Sequence, residues 1–184
     1  VYNVAVGYHA GTNVTTGTLT TLVGGLAGDA LTTGNLNAAF GYAALSADTK
    51  GDRAVAIGPG TLLSQNFTTN TDTYNTAVGY FAGDGISTGI RNTLVGGLAG
   101  DGLTDADDNV VVGTFALQVD TLGSRTTALG RGALGSQNFT TATQSYNTAV
   151  GYFAGQGTTT AIQNTLIGGE AGDALTTGSQ NVAV

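Results

Sequence analysis

The ten residues YNTAVGYFAG stand at 74–83 and again, unchanged, at 146–155, and the related YNVAVGYHAG fills 2–11. A glycine-punctuated phrase after a β-like run is either a phosphate-holding loop or one rung of a repeat. Aligning every such phrase on the glycine that follows its pair of apolar residues decides between them. The anchors are Gly7, Gly24, Gly41, Gly58, Gly79, Gly96, Gly113, Gly130, Gly151 and Gly168. Their spacings run 17, 17, 17 and 21 residues, then 17, 17, 17 and 21 again, then 17. A 17-residue rung is thus nested in a 72-residue block of four, giving blocks 1–72, 73–144 and a partial 145–184. Fixed short periods are the signature of stacked repeats. The predicted fold is all-β, a single parallel β-solenoid over 1–184, with two short strands and two corners per rung.

The columns of this register carry the next inference. The residue before each anchor is Val6, Val23, Phe40, Ile57, Val78, Val95, Val112, Leu129, Val150 or Ile167. The residue before that is Ala5, Leu22, Ala39, Ala56, Ala77, Leu94, Val111, Ala128, Ala149 or Leu166. Neighbouring strand residues point to opposite faces, so both faces of the strand avoid water. One face fills the coil and the other needs a partner, most simply identical chains about an axis. The column of Ala77 and Ala149 is a candidate for the axial face. Four residues before the anchor, Asn recurs (Asn3, Asn37, Asn75, Asn92, Asn109, Asn147, Asn164), as suits a turn or a stacked amide ladder. Ala-Gly closes rungs one and two of each block and Ala-Leu closes three and four; the glycines suit left-handed corners.

Composition narrows the function. Only 9% of the 184 residues are charged, 31 are glycine, and Cys, Met and Trp are absent. The net charge of −7, with five scattered basic residues, argues against nucleic acid, whose backbone is held by clustered Lys and Arg. No apolar run reaches the length of a membrane-spanning helix. The lack of cysteine excludes disulfides and thiol chemistry. The chain starts without Met, and the expectation is a piece of a longer fibre.

The phrases RAVAIG (53–58) and YNVAVG (2–7) resemble the NSVAIG-type repeats in the heads of YadA-like trimeric autotransporter adhesins. NTAVGYFAG and NTLIGGEAG are similar to repeats of phage tail fibres and other bacterial trimeric surface fibres. The resemblance covers all ten rungs. It implies a left-handed β-roll, a homotrimer, and surface attachment outside the cell or on a virion tail fibre, with a host-cell glycan or surface protein as possible partner. The rungs here are longer than that family's usual repeat, so its loop geometry does not carry across.

Candidate sites are few. VGGLAG (23–28, 95–100) and IGGEAG (167–172) lack the helix and acidic partner of a nucleotide loop, so no cofactor is expected. Asp29, Asp101, Asp173 and the run Asp105, Asp107, Asp108 offer oxygen ligands for calcium, but turn-forming Asp is the simpler account. His9 and Glu170 replace apolar residues of sister rungs, and no catalytic set assembles around them; no enzyme is expected. SQNFTT recurs at 64–69 and 136–141, where the rung lengthens. Its Phe67 and Phe139, with Tyr80 and Phe81, are possible surface contacts; the alternative is that each Phe tucks under a neighbouring chain. Thr-Thr-Gly rows (15–17, 32–34, 176–178) raise ice binding, but the row is expected to fail at rungs three and four. The expected function is a structural fibre segment that spaces or presents attachment surfaces. A tail-fibre shaft is the alternative, with ice binding and a polysaccharide-depolymerising tailspike more distant.

Overall fold

A computed structural model of the chain describes residues 2–184. Eleven short parallel strands, from Val4–Val6 and Thr21–Val23 through Thr76–Val78 and Thr148–Val150 to Val182–Ala183, stack into one sheet in chain order. Each strand pairs with the one 17 residues on, as Ala5 with Leu22 and Ala77 with Leu94. At the long rungs the step is 21, as Ala56 with Ala77 and Ala128 with Ala149. The repeat read from the anchors is therefore the physical turn of a β-solenoid. The second strand expected in every rung forms only at the long ones, where Gly51–Asp52 pairs with Thr71–Asp72 and Gly123–Ser124 with Thr143–Gln144. Elsewhere the far wall is built from bends whose amides bond to the next rung without regular strand geometry, such as Thr32 N–H to the Thr49 carbonyl (2.9 Å).

The coil is narrow, and this sorts the two apolar columns. Ala39, Ala56, Ala77, Leu94, Val111, Ala128 and Ala149 are wholly buried inside their own chain. Ala77 and Ala149 therefore point into the coil, not toward an axis, and the Val/Ile column is the one that faces out. A central cluster joins them to Ala27, Ala82, Ala99 and Ala154 and to Leu31, Ile86 and Leu103. Burying such side chains is worth ~25 cal/mol per Å² of apolar surface, and each rung gains it only against its neighbours.

The anchor glycines are required twice over. Their φ lies between +130° and +143°, a region closed to other residues. At every anchor but the last, Gly168, a Cβ would also run into the next rung's anchor, as at Gly96, where it would lie 2.7 Å from the Gly113 carbonyl carbon. The corners four residues on behave differently. Leu45, Leu62, Leu117 and Leu134 hold the same left-handed conformation, φ +48° to +57°, as Gly28 (+54°) and Gly83 (+60°). Glycine is not obligatory there. Leucine accepts a strain of ~1–2 kcal/mol because its side chain is fully buried.

The asparagines do less amide-to-amide laddering than expected and more backbone bridging. Asn75 Nδ2 donates to the Gly89 carbonyl (2.8 Å), and its Oδ1 accepts the Asn92 amide (2.9 Å). Asn92 repeats this with Ala106 (2.8 Å) and Asn109 (3.0 Å). Each buried amide thus ties its rung to two backbone groups of the next, leaving no polar atom unpaired.

Candidate interaction surface

The outer face of the sheet is apolar. The large hydrophobic side chains that stay exposed include Val6, Phe40, Ile57, Val112 and Ile167 just before the anchors, and Val4 and Val110 two residues earlier. Tyr8, Tyr42, Tyr80 and Tyr152 follow just after the anchors, and Tyr2, Leu19, Leu36, Tyr74 and Tyr146 stand five residues before them. With Val182 and Val184 these make 18 of the 19 such residues among those described; Val119 alone of them falls elsewhere. Four adjacent columns therefore form one band along one side of the rod, its apolar residues interleaved with a row of threonines (Thr21, Thr76, Thr93, Thr127, Thr148, Thr165) and, at one edge, with Arg53, Arg91, Asp108 and Arg125. Scattered exposed hydrophobics are ordinary, but a continuous patch of this kind marks a contact surface.

All four arginines border this band: Arg53, Arg91 and Arg125 in the column five before the anchor, and Arg131 in the column one after it. Arg53 pairs with Asp72 and lies over Tyr74, 5.6 Å from the ring centre. Arg91 grips Asp108 through Nε (2.5 Å) and Nη2 (3.2 Å). This contact holds the Asp108 carboxyl below its usual range. Arg125 donates to Gln144 Oε1 and Tyr146 Oη, both at 2.6 Å. Charge on this column is thus largely paired along the rod axis.

The acidic run does not gather around a common point. Asp105 accepts the Thr88 hydroxyl (2.6 Å), Asp107 accepts the Ile90 amide (2.8 Å), and Asp108 is held by Arg91. Among the described residues no three candidate ligands converge. The corner aspartates are more unusual. Asp84 and Asp101 occupy the same column in successive rungs, and burial raises both carboxyls. Asp101 is pushed up to about 6, first by burial and then by the Asp84 charge.

The SQNFTT excursion turns inward. Phe67 and Phe139 are 7% and 6% exposed within their own chain, so neither is an outward contact and neither waits for a neighbouring chain. Tyr80 remains outside, while Phe81 is half-buried, packed edge-on against Tyr80 (4.6 Å between centres) and laid over Gly60. The excursion's glutamine completes a buried polar relay that sequence reasoning missed. Asp48 Oδ1 accepts the Gly51 (2.9 Å) and Phe67 (3.2 Å) amides, and Oδ2 accepts Gln65 Nε2 (2.6 Å). Gln65 Oε1 in turn accepts Asn75 Nδ2 (2.8 Å). Asp120, Gln137 and Asn147 repeat the relay one block later. Burial raises the carboxyls of Asp48 and Asp120, while these donors act against it.

The Thr rows are structural. Thr15, Thr32, Thr104 and Thr159 each donate Oγ1 to the carbonyl one rung on, at 3.0–3.1 Å. The column holds at rung three, where Thr49 and Thr121 donate to the Phe67 and Phe139 carbonyls (both 2.8 Å), and breaks at rung four, where Asn66 and Asn138 stand in it. The His9 ring lies 3.1 Å from the Thr12 hydroxyl and packs edge-on against Tyr8 (4.1 Å between centres). No helix is long and apolar enough to cross a membrane among the described residues. Comparison with protein-family models, curated proteins and solved structures yields no match to this chain.

Proposed function

We propose that the chain is a segment of an extracellular trimeric fibre, built by three copies packing the apolar band about a common axis, and that it spaces or presents attachment surfaces. The observation that carries this reading is the gathering of the exposed hydrophobics into one band. Ten rises of ~4.8 Å give the band a length of about 48 Å, and three two-residue steps a width of about 20 Å. The product, about 960 Å² per chain, is shared between two neighbours in a trimer, so the three chains together bury about 2,900 Å², against the ~1,200–2,000 Å² of one standard interface. Tyrosine and arginine at the band's borders are the residues that such interfaces favour. A left-handed roll of the YadA-like kind, on a cell surface or a virion tail fibre, places such a face on the shared axis.

Sedimentation equilibrium tests the proposal. The chain should sediment at three times 18.2 kDa, and Val78→Glu with Val150→Glu should return it to a folded monomer. A folded wild-type monomer refutes the trimer. Thermal hysteresis in such a monomer would assign the regular Thr and Val rows of the sheet (Thr76–Val78, Thr93–Val95, Thr148–Val150) to ice instead.

A further inference from the structure

Beside the band, on the flank of rungs seven to nine, two phenylalanines frame a cleft of about 320 Å³. Phe115 and Phe153 belong to rungs two steps apart, and the intervening rung lines the floor with Gly132, Gly135 and Ser136. Arg131 reaches across, its guanidinium carbon 5.8 Å from the Phe115 ring centre and 5.0 Å from that of Phe153. Among the described residues Arg131 is the one arginine with no carboxylate partner, since Arg53, Arg91 and Arg125 all lie within ion-pair reach of an aspartate. Gln118 and Gln156 supply amides at the rim.

The sister block separates what the rung needs from what it does not. Gly60 and Phe81 repeat Gly132 and Phe153, and a Cβ on either glycine would strike the ring laid over it. That pair is architecture. Ser64 likewise repeats Ser136, but the remaining cleft residues differ: Ala43 stands for Phe115, Pro59 for Arg131, Leu63 for Gly135, Ser46 for Gln118 and Asp84 for Gln156. Rung four therefore folds without an arginine, a second aromatic wall or the glutamines, whereas rungs seven to nine carry them all together.

We infer that this cleft binds a carboxylate-bearing sugar, a uronic or sialic acid unit at the end or within a glycan chain. The forked guanidinium, always ionised, matches a carboxylate with two parallel N–H donors. The phenyl faces take the apolar face of a pyranose ring, and the glutamines meet its hydroxyls. The inference rests on the attachment role proposed above, giving it a ligand class, but its chemistry belongs to one chain.

Titration with sodium glucuronate, followed by amide and Arg Nε chemical shifts in the full chain, tests it. Glucuronate should move Gly132, Gly135 and the Arg131 side chain and saturate in the millimolar range, about −4 kcal/mol. Glucose and acetate should each bind at least ~10-fold more weakly, a difference of about 1.4 kcal/mol. Arg131→Gln and Phe115→Ala should each weaken glucuronate by a similar factor, while Arg125→Gln should leave it unchanged. Phe115→Ala is expected to fold, because block one carries alanine there. No shift with glucuronate, equal binding of acetate, or full binding by Arg131→Gln would each overturn the inference. Sedimentation of the same samples keeps the outcomes apart: a monomer that binds glucuronate loses the trimer alone, and a trimer that does not bind loses the cleft alone.

Discussion

The buried relay from Asn75 through Gln65 to Asp48 gives the sharpest quantitative expectation, because it runs in one direction. Asn75 gives both Nδ2 protons away, to Gly89 and to Gln65, and Gln65 passes its own to a carboxylate that only accepts. Gln65→Leu keeps the volume and removes the middle of the chain. The lost bond to a charged acceptor is worth ~1.5–3 kcal/mol, and the partner lost by Asn75, which keeps Gly89, adds ~0.5–1 kcal/mol. The total is about 3 kcal/mol, or a rise of roughly 150-fold in the opening equilibrium of the affected rungs. In a stacked array this loss is felt locally first. Hydrogen exchange reads it directly, since the Gly51 and Phe67 amides are held by the same carboxylate. Both should exchange about two orders of magnitude faster, while amides of the last rungs, such as Asn164, should keep their protection. Asp48→Asn should also destabilise, by ~1–3 kcal/mol, because its new NH2 group meets a Gln65 that can offer an acceptor only by turning its own NH2 on Asn75. Unchanged exchange at Gly51 and Phe67 in Gln65→Leu would refute the relay as a source of stability. An equal rise everywhere would refute the local character of rung coupling.

Other expectations follow from single residues. Asp101 binds its proton more tightly in the folded chain than in the unfolded one, so its protonated form stabilises the fold. That stabilisation is full below about pH 3.8 and lost as pH rises through about 6. The shift corresponds to ~3 kcal/mol at face value, which solvent screening at this half-buried site cuts to about 1 kcal/mol. Asp101→Asn should therefore raise the urea midpoint at pH 7 and flatten the stability profile between pH 4 and 6. Gly96→Ala, at φ +134° and with its Cβ set 2.7 Å from backbone, should cost about 3 kcal/mol or more in thermal or urea unfolding. Gly97→Ala, where the nearest atoms lie 4.0 Å away, should fall within ~0.5 kcal/mol of wild type.

How much of this was legible in the sequence depended on whether a column had one physical explanation or two. The anchors had one: a glycine every 17 residues with bulky neighbours marks a backbone stack, and the strand register follows it residue for residue. The two apolar columns had two. Alternation says that they oppose each other, but not which is inside. Size carries that signal: alanine dominates the column that must fit a narrow coil, while Val, Ile and Phe stand where there is room outside. The same rule recovers the relay. Seven residues after the anchors the column reads Val14, Leu31, Asp48, Gln65, Ile86, Leu103, Asp120, Gln137, Thr158 and Leu175. An Asp directly followed by a Gln one rung on, twice, in a column otherwise rich in aliphatics, is a buried pair, since a buried carboxylate without a donor is costly. Read by local composition, SQNFTT looked like an exposed loop; read by column, Gln65 falls among core residues and draws Phe67 in beside it. The aromatic cleft was beyond either reading. It arises from residues absent at Gly132 and Gly135 as much as from those present, and a missing side chain in a repeat becomes a site only when the rungs on both sides supply its walls.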